Sequence, residues 1–201
     1  MMAISRIIVT LALLLVISTV GAAEEWEIDL SAGDKSVTGG VHDKSYLDSG
    51  YLRIGGSALY SDDDALEYKW ASLDLMVGSD TLSPGLSCEV GLRGLGGAVD
   101  EGPKSGDVGL IGFSFAAGYL FAKEVTLIPL EVFSSLTWSP DPLSFLDTEE
   151  FLEFNLGVGL RIIKNASVTA TYSNYHADMK SGQQDWTLND DAYRLGVVLR
   201  F

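Results

Sequence analysis

The feature that most constrains this chain is an alternation of apolar and polar side chains that recurs along its length after residue 24. In segment 152–162, Leu, Phe, Val and Ile at even positions alternate with Glu, Asn, Gly and Arg at odd positions. Successive side chains of a β-strand point to opposite faces, so a period of two predicts strands rather than helices. The last segment, 192–201, alternates in the same way and ends on Phe201. The chain is therefore predicted to be all-β.

Similar segments predict eight to ten strands within one domain. Several run to ten residues or more, which is the length of a tilted transmembrane strand and exceeds the soluble mean of about 5–6 residues. Short connections near residues 84, 122–124 and 164–165 alternate with longer acidic stretches at 62–64, 100–107, 139–149 and 178–190. This combination predicts an antiparallel up-and-down transmembrane β-barrel over residues 24–201, with ten strands preferred and eight as the alternative. A weaker segment at 36–42 is expected to pair with the first strand.

Parity alone does not decide which face is inside. A secreted soluble sandwich or lipocalin-like barrel would turn its apolar face inward, and it stays open as an alternative. Aromatic residues near the strand ends favour the membrane, because girdles of aromatic side chains mark the two interfaces of an outer-membrane barrel. The residues expected to form them are Tyr60, Trp70, Trp138, Tyr172, Trp186 and Tyr193.

The polar faces of the predicted strands carry nearly balanced charge, whereas the apolar faces carry none. Every base on these faces is Arg, whose planar guanidinium suits buried pairing with carboxylates. A network of ion pairs among small Gly and Ser side chains is therefore predicted to leave a narrow or closed lumen. Most of the formal charge of −15 must then reside in loops. The predicted network consists of Glu27, Asp29, Asp74, Glu89, Glu131 and Glu153 with Arg53, Arg93, Arg161, Arg194 and Arg200.

Residues 1–23 have the pattern of a secretory signal peptide. Arg6 supplies a positive start, residues 7–20 form an apolar run, and residues 21–23 are small, as a cleavage site requires. The barrel domain is accordingly expected to comprise residues 24–201. Cys88 is the single cysteine, so an intrachain disulfide is excluded.

The C-terminal residues 194–201 resemble the targeting signal that ends bacterial outer-membrane barrels. Its specified positions are filled by Arg194, Gly196, Leu199 and Phe201. The resemblance implies that the outer-membrane assembly machinery reads the last strand. It also implies that outer-membrane lipids and lipopolysaccharide surround the folded protein.

The chain after residue 23 also resembles the YfaZ family of small outer-membrane proteins. The resemblance rests on residues 60–64, on residues 138–145 before the long strand, on residues 165–168 and on the closing strand. It implies an exported, porin-like barrel in the outer membrane of a Gram-negative bacterium. The family contributes no catalytic residues.

Motifs for a cofactor are missing from the sequence. His42, His176 and Cys88 do not have metal-ligand spacing, and neither a dinucleotide fingerprint nor a phosphate-binding loop occurs. The negative charge disfavours binding to nucleic acid. No cofactor, no metal site and no enzymatic activity are therefore predicted.

A lipid-A-modifying enzyme is the alternative from a different functional class. Residues 172–176 loosely resemble the active-site strand of outer-membrane lipid A deacylases, with His176 and Asp190 as a His-acid pair. Those enzymes place a serine two residues after the histidine, where this chain has Asp178. Ser173 lies on the opposite face of the strand, so a nucleophile is missing.

The acidic loops offer oxygen ligands that divalent cations could bridge to anionic lipopolysaccharide. Repulsion that keeps the outer surface hydrated is the simpler interpretation, and EF-hand spacing is absent. The residues concerned are Asp62, Asp63, Asp64, Asp147, Glu149, Glu150, Asp190 and Asp191.

Overall fold

A computed structural model describes residues 24–63, 66–121, 129–181 and 184–201. The predicted signal peptide, Asp64 and the predicted short connection at 122–124 lie outside these residues. Eleven strands make up one sheet, and a short 3₁₀ turn, Asp141–Leu143, precedes the eighth. The strands are β1 (Glu24–Gly33), β2 (Ser36–Leu47), β3 (Gly50–Asp63), β4 (Leu66–Ser83), β5 (Leu86–Glu101), β6 (Lys104–Leu120), β7 (Leu130–Ser139), β8 (Ser144–Leu146), β9 (Thr148–Ile163), β10 (Ala166–Ser181) and β11 (Gln184–Arg200).

Ten of these strands form a closed antiparallel barrel, which confirms the predicted fold class and its preferred strand count. Each pairs with its chain neighbour, and β1 closes the ring by pairing with β11 from Glu27↔Arg200 to Gly33↔Arg194. The three-residue β8 is an addition that pairs with β6 alone. The alternative of eight strands is wrong, since β2 spans the whole weak segment and pairs with both β1 and β3. No helix in the described ranges has the length and hydropathy needed to cross a bilayer.

The first described residue, Glu24, and the C-terminal Phe201 lie at one end of the barrel, which we call the terminal end. There, Trp26 and Phe201 exchange two main-chain hydrogen bonds. The turns 48–49, 84–85 and 164–165 also lie at this end. The opposite end, called the distal end, carries the connection 140–147 and the turns 34–35 and 102–103.

The acidic stretches predicted as long distal loops are mostly strand. β5 and β6 are joined by the two residues 102–103, and β10 continues to Ser181 before β11 begins at Gln184. The left-handed φ of +60° at Gly102 permits the tight turn between β5 and β6. The expectation was wrong because polar side chains on the outer face of these strands were interpreted as loop residues.

A continuous apolar surface covers the outside of the barrel near the terminal end. Leu73 and Leu195 are 74% and 69% exposed there. A protein in water rarely exposes an apolar surface of this extent, so it faces lipid, and the soluble alternative is wrong. We call it the belt, and its exposed members include Ile54, Leu73, Leu75, Val77, Val90, Leu92, Ile111, Phe113, Phe115, Leu156, Val158, Leu160, Leu195, Val197 and Leu199.

Toward the distal end the two faces of the strands exchange polarity. On β11 the outward residues change from the apolar run 193–199 to Asp185, Thr187, Asn189 and Asp191, while the inward Trp186 and Leu188 are buried. On β11, the even-numbered residues point into the barrel from Trp186 to Arg200. The distal part of the barrel therefore has a polar exterior and an apolar interior, as a wall that projects from the membrane into water requires.

This exchange corrects part of the expected aromatic girdle. Trp70 and Trp186 are each only 7% exposed and point into the barrel. Tyr60, Trp138 and Tyr193 do lie exposed on the outer surface. Trp70 and Trp186 were assigned to the wrong face of their strands because their position near a strand end was given more weight than their parity.

The position of the belt predicts opposite effects for one substitution at two sites on β11. Val197→Lys places a charge within the belt and should destabilise the barrel by about 2–4 kcal/mol. Thr187→Lys, on the same strand and face but in the polar distal part, should change stability by less than about 0.5 kcal/mol. Urea unfolding in phospholipid vesicles measures both, and equal losses would contradict this position of the membrane.

Candidate functional site: the barrel lumen

The lumen is divided into a polar part and an apolar part. The polar part, which we call the vestibule, is a cavity of about 720 Å³ lined by residues of every barrel strand. The apolar part, which we call the plug, lies toward the distal end. It consists of Leu59, Tyr68, Trp70, Leu95, Val99, Val108, Leu110, Phe151, Tyr175, Ala177, Met179, Trp186, Leu188 and Ala192.

At the terminal end of the vestibule, Arg200 joins strands on both sides of the closing seam. Its Nε donates to Glu27 Oε2 at 2.8 Å, and its Nη2 lies 3.7 Å from Glu131 Oε2. Arg161 Nη2 approaches the same Glu131 oxygen at 3.8 Å. These four predicted residues therefore form one group that links β1, β7, β9 and β11.

A second group joins β1, β2, β3 and β5. Arg53 Nη2 lies 2.6 Å from Glu89 Oε2, and its Nη1 donates to His42 Nδ1 at 3.0 Å. Because Nδ1 accepts this bond, His42 carries its proton on Nε2, which lies 3.2 Å from Asp29 Oδ2. Tyr51 also donates to Glu89 at 3.0 Å. The histidine thus continues a hydrogen-bonded chain from Glu89 to Asp29.

The third group lies deeper and is the most buried. Arg93 Nε donates to Asp74 Oδ1 at 2.6 Å, and its Nη1 donates to Glu153 Oε2 at 2.8 Å. The side chains of Asp74 and Glu153 are 1% and 9% exposed. One guanidinium therefore balances two buried carboxylates across the lumen.

Arg194 differs from the predicted pattern. In the described part of the chain its bonds run to hydroxyl groups: Nη1 donates to Ser36, and Nη2 donates to Ser173 and Tyr175. On β10, the hydroxyls of Ser173 and Tyr175 take the place of a carboxylate. Arg194 therefore lies where the vestibule meets the plug.

Aromatic rings form the centre of the plug. Trp70 stacks on Tyr68 at 4.5 Å between ring centroids and meets Tyr175 and Phe151 edge-on at 5.3 and 6.0 Å. The sequence analysis missed this cluster. Its signal was available, since Tyr68, Trp70 and Phe151 share the parity of the lumenal Asp74 and Glu153 on their own strands.

A polar contact borders the plug beside the turn between β1 and β2. Lys35, in the turn between β1 and β2, donates to Asp190 Oδ1 at 2.6 Å, and Tyr68 donates to Asp190 Oδ2 at 2.7 Å. The hydrogen bond to Asp190, opposed in part by burial, raises the pKa of the Lys35 ammonium. The ion pair therefore persists to alkaline pH.

Other lumenal residues were missed because β2 is a weak pattern. Gly40, His42 and Lys44 alternate toward the lumen, and Lys44 Nζ lies 3.7 Å from the centre of the Tyr51 ring. Arg is thus not the only lumenal base. Gly39 and Gly40 lie on opposite faces of β2, so its two sides differ too little in polarity to reveal a strand.

The residues of the alternative catalytic hypothesis do not converge. His176 points outward with Asp178 Oδ1 at 3.8 Å, whereas Ser173 is buried in the lumen and bonded to Asn155 and Arg194. Among the described residues, no group of three or more His, Cys, Asp or Glu side chains has an arrangement that could hold a metal ion.

The predicted targeting residues occupy the end of β11. Gly196 packs so closely that an added Cβ would lie 2.7 Å from the Leu30 carbonyl oxygen, so the position requires glycine. Leu199 and Phe201 face outward and are exposed. Recognition of this segment by the assembly machinery stays a prediction.

A closed barrel with a lipid-facing belt and a charged lumen defines an outer-membrane β-barrel protein, which resides in the bacterial outer membrane. The family described as "YfaZ precursor" matches residues 2–201. The chain belongs to that family, which confirms the resemblance seen in the sequence. No curated protein matches the chain.

Solved structures are similar to this chain at low sequence identity. The β domain of the Bordetella autotransporter BrkA is 10% identical with a TM-score of 0.46, and the match covers 89% of this chain and 98% of that one. The KdgM porin is 8% identical with a TM-score of 0.42 over 88% and 99% of the two chains. The copper transporter OprC is 16% identical with a TM-score of 0.33. That match covers 87% of this chain, which spans only 34% of the transporter. Likenesses this weak carry no inference about ligands or transport.

The deep ion-pair group predicts that its two carboxylates destabilise the folded barrel once Arg93 is removed. Arg93→Met should destabilise the barrel by about 3–5 kcal/mol, because it leaves Asp74 and Glu153 buried without a counter-charge. Adding Asp74→Asn and Glu153→Gln should restore more than half of the loss. Urea unfolding measures the series, and a triple variant less stable than Arg93→Met would contradict the role of the two carboxylates.

The Lys35 contact predicts a pH-dependent difference. Lys35→Gln should lower the unfolding free energy by about 1 kcal/mol near pH 8. Since the folded-state pKa is raised, this contribution is complete below the ordinary value of 10.5 and is lost as pH rises through the raised pKa. Lys69→Gln is the control, because Lys69 is exposed and lies 4.0 Å from Glu67. A Lys35→Gln loss that persists unchanged above about pH 12 would exclude the ion pair as its cause.

Proposed function

We propose that this protein is a closed, structural barrel of the outer membrane rather than a channel. The plug is the observation that carries the proposal. Its aromatic and aliphatic side chains meet across the distal lumen, and Val99, Phe151 and Ala177 are 0% exposed. A path for hydrated solutes would have to displace packed apolar groups, which costs far more than thermal energy.

The charged groups of the vestibule support the same role. Arg93 with Asp74 and Glu153 crosses the lumen below the plug, so the two obstructions lie in series. Ion pairs of this kind fix the spacing of facing strands. We infer that they hold the barrel in a single shape and do not form a selectivity filter.

The orientation follows from the general pattern of outer-membrane barrels, which have short turns on the periplasmic side. At the terminal end the turns follow close to the belt, whereas at the distal end the strands extend past it. The terminal end would therefore face the periplasm, and the vestibule would open there. The acidic distal end would project from the cell surface among lipopolysaccharide headgroups. Divalent cations held between that end and lipopolysaccharide are part of this proposal.

Conductance in planar lipid bilayers tests the closed lumen. We expect the purified protein to show no stable current, because the plug excludes hydrated ions. The combined variant Trp70→Ala, Phe151→Ala and Met179→Ala should introduce measurable openings by emptying the centre of the plug.

Arg53→Ala with Glu89→Ala is the matched control, since it removes one vestibule ion pair and leaves the plug intact. It should stay silent. Large, steady conductance from the unmodified protein would overturn the proposal and favour a porin.

A further inference from the structure

In the part of the chain that the structure describes, the barrel wall has one long strand edge without a neighbouring strand. β1 contains 10 residues and β11 contains 17, and their pairing ends at Gly33↔Arg194. Beyond that point β11 pairs with β10 on one side. On its other side no strand of the described chain pairs with residues 184–193. We call this side of residues 184–193 the open edge.

The direction of the main-chain groups along the open edge follows from the closing seam. Phe201 exchanges hydrogen bonds with Trp26 of β1, whereas the Arg200 N–H donates to the Asn165 carbonyl next to β10. Odd-numbered residues of β11 therefore direct their N–H and C=O groups toward the β1 side. In the open edge these residues are Asp185, Thr187, Asn189, Asp191 and Tyr193.

Several of the usual devices that protect an exposed edge are missing from this one, although Asp185, Asp190 and Asp191 place charges along it. Edges are commonly blunted by proline, lysine, a bulge or a very short strand. Residues 184–193 contain neither Pro nor Lys. Their pairing with β10 continues without a bulge, from Ser181↔Gln184 onward. Trp186 and Leu188 anchor the strand in the plug, so its edge is held straight and ready to pair.

The side chains beside the open edge define the chemistry of a fitting strand. The outward groups from Asp185 to Asp191 are acidic or polar. Asp34 lies in the turn between β1 and β2, and Asp63, the last residue of β3, lies 3.4 Å from the Lys35 ammonium. Opposite charges on facing strands stabilise a sheet, whereas like charges destabilise it. A second copy pairing through the same edge would bring aspartates near aspartates. A basic strand is therefore favoured over self-association.

We propose that the open edge of β11 is a docking site that receives an extended segment of a partner protein by β-strand addition, and that this segment carries Lys or Arg at alternate positions. Main-chain hydrogen bonds supply the affinity, and the alternate basic side chains meet Asp185 and Asp191 on the outer face. The site is independent of whether the lumen conducts.

Peptide binding to the full-length barrel in phosphatidylcholine vesicles tests the proposal. The probe is a ten-residue peptide of alternating Lys and Thr, and its control alternates Glu and Thr. Asn189→Pro removes one donor from the open edge and leaves the pairing with β10, which uses even-numbered residues. Asn189→Ala is the matched variant that keeps the donor.

We expect the Lys-Thr peptide to bind the unmodified protein and Asn189→Ala, and to lose at least about tenfold in affinity for Asn189→Pro. The Glu-Thr peptide should not bind. Hydrogen exchange should show new protection at the amides of Thr187, Asn189 and Asp191. If Asn189→Pro does not fold, a Lys-Thr peptide N-methylated at alternate residues replaces it, and its binding should be lost.

Equal affinity of the Lys-Thr peptide for Asn189→Pro, or for the unmodified protein after N-methylation, would overturn the proposal, because charge alone would then account for binding. No binding of the Lys-Thr peptide would overturn it as well. A dimer that protects the same amides without peptide would assign the edge to a second copy instead.

Discussion

Main-chain hydrogen bonding in a medium without water is the constraint on which the whole structure depends. Hydrocarbon offers no partner to an unpaired N–H or C=O, so a sheet within it must close on itself. The pairing of β1 with β11 over Glu27 to Gly33 accomplishes this closure. Beyond the belt the constraint is lifted, and there no described strand pairs with β11 on one side. The open edge exists because water can satisfy what lipid cannot.

The same boundary between solvents explains the exchange of polarity along each strand. Within the belt, lipid contacts the outer face and the charged groups turn inward. Past the belt, water contacts the outer face, and the aromatic side chains of Trp186 and Tyr68 are buried inside the barrel. One inward parity therefore serves a polar vestibule at one level and an apolar plug at the next. The plug behaves as the core of a small soluble domain built on membrane strands.

The negative charge follows this division. In the lumen, arginines offset most of the carboxylates through short contacts such as Arg93 with Asp74 and Glu153. At the distal end the described bases are Lys35, Lys69, Lys104 and Lys180, and many more acids surround them. The acidity of the chain is thus concentrated on the wall that projects into water. The acidic side chains on this wall are hydrated, so they need no counter-charges inside the barrel.

The sequence by itself determined most of the strands and which of their residues share a face, because a period of two is a local property that each strand displays alone. Arg53, Arg93 and Arg200 could be assigned to the lumen for this reason. Which carboxylate each one meets was decided by the register and curvature of the barrel, which join residues as distant as Glu27 and Arg200. The inward course of Trp70 and Trp186, the bonding of Arg194 to hydroxyls and the open edge were likewise decided only by the tertiary structure. Each depends on how far neighbouring strands extend past one another. The sequence of a single strand does not show that difference in length.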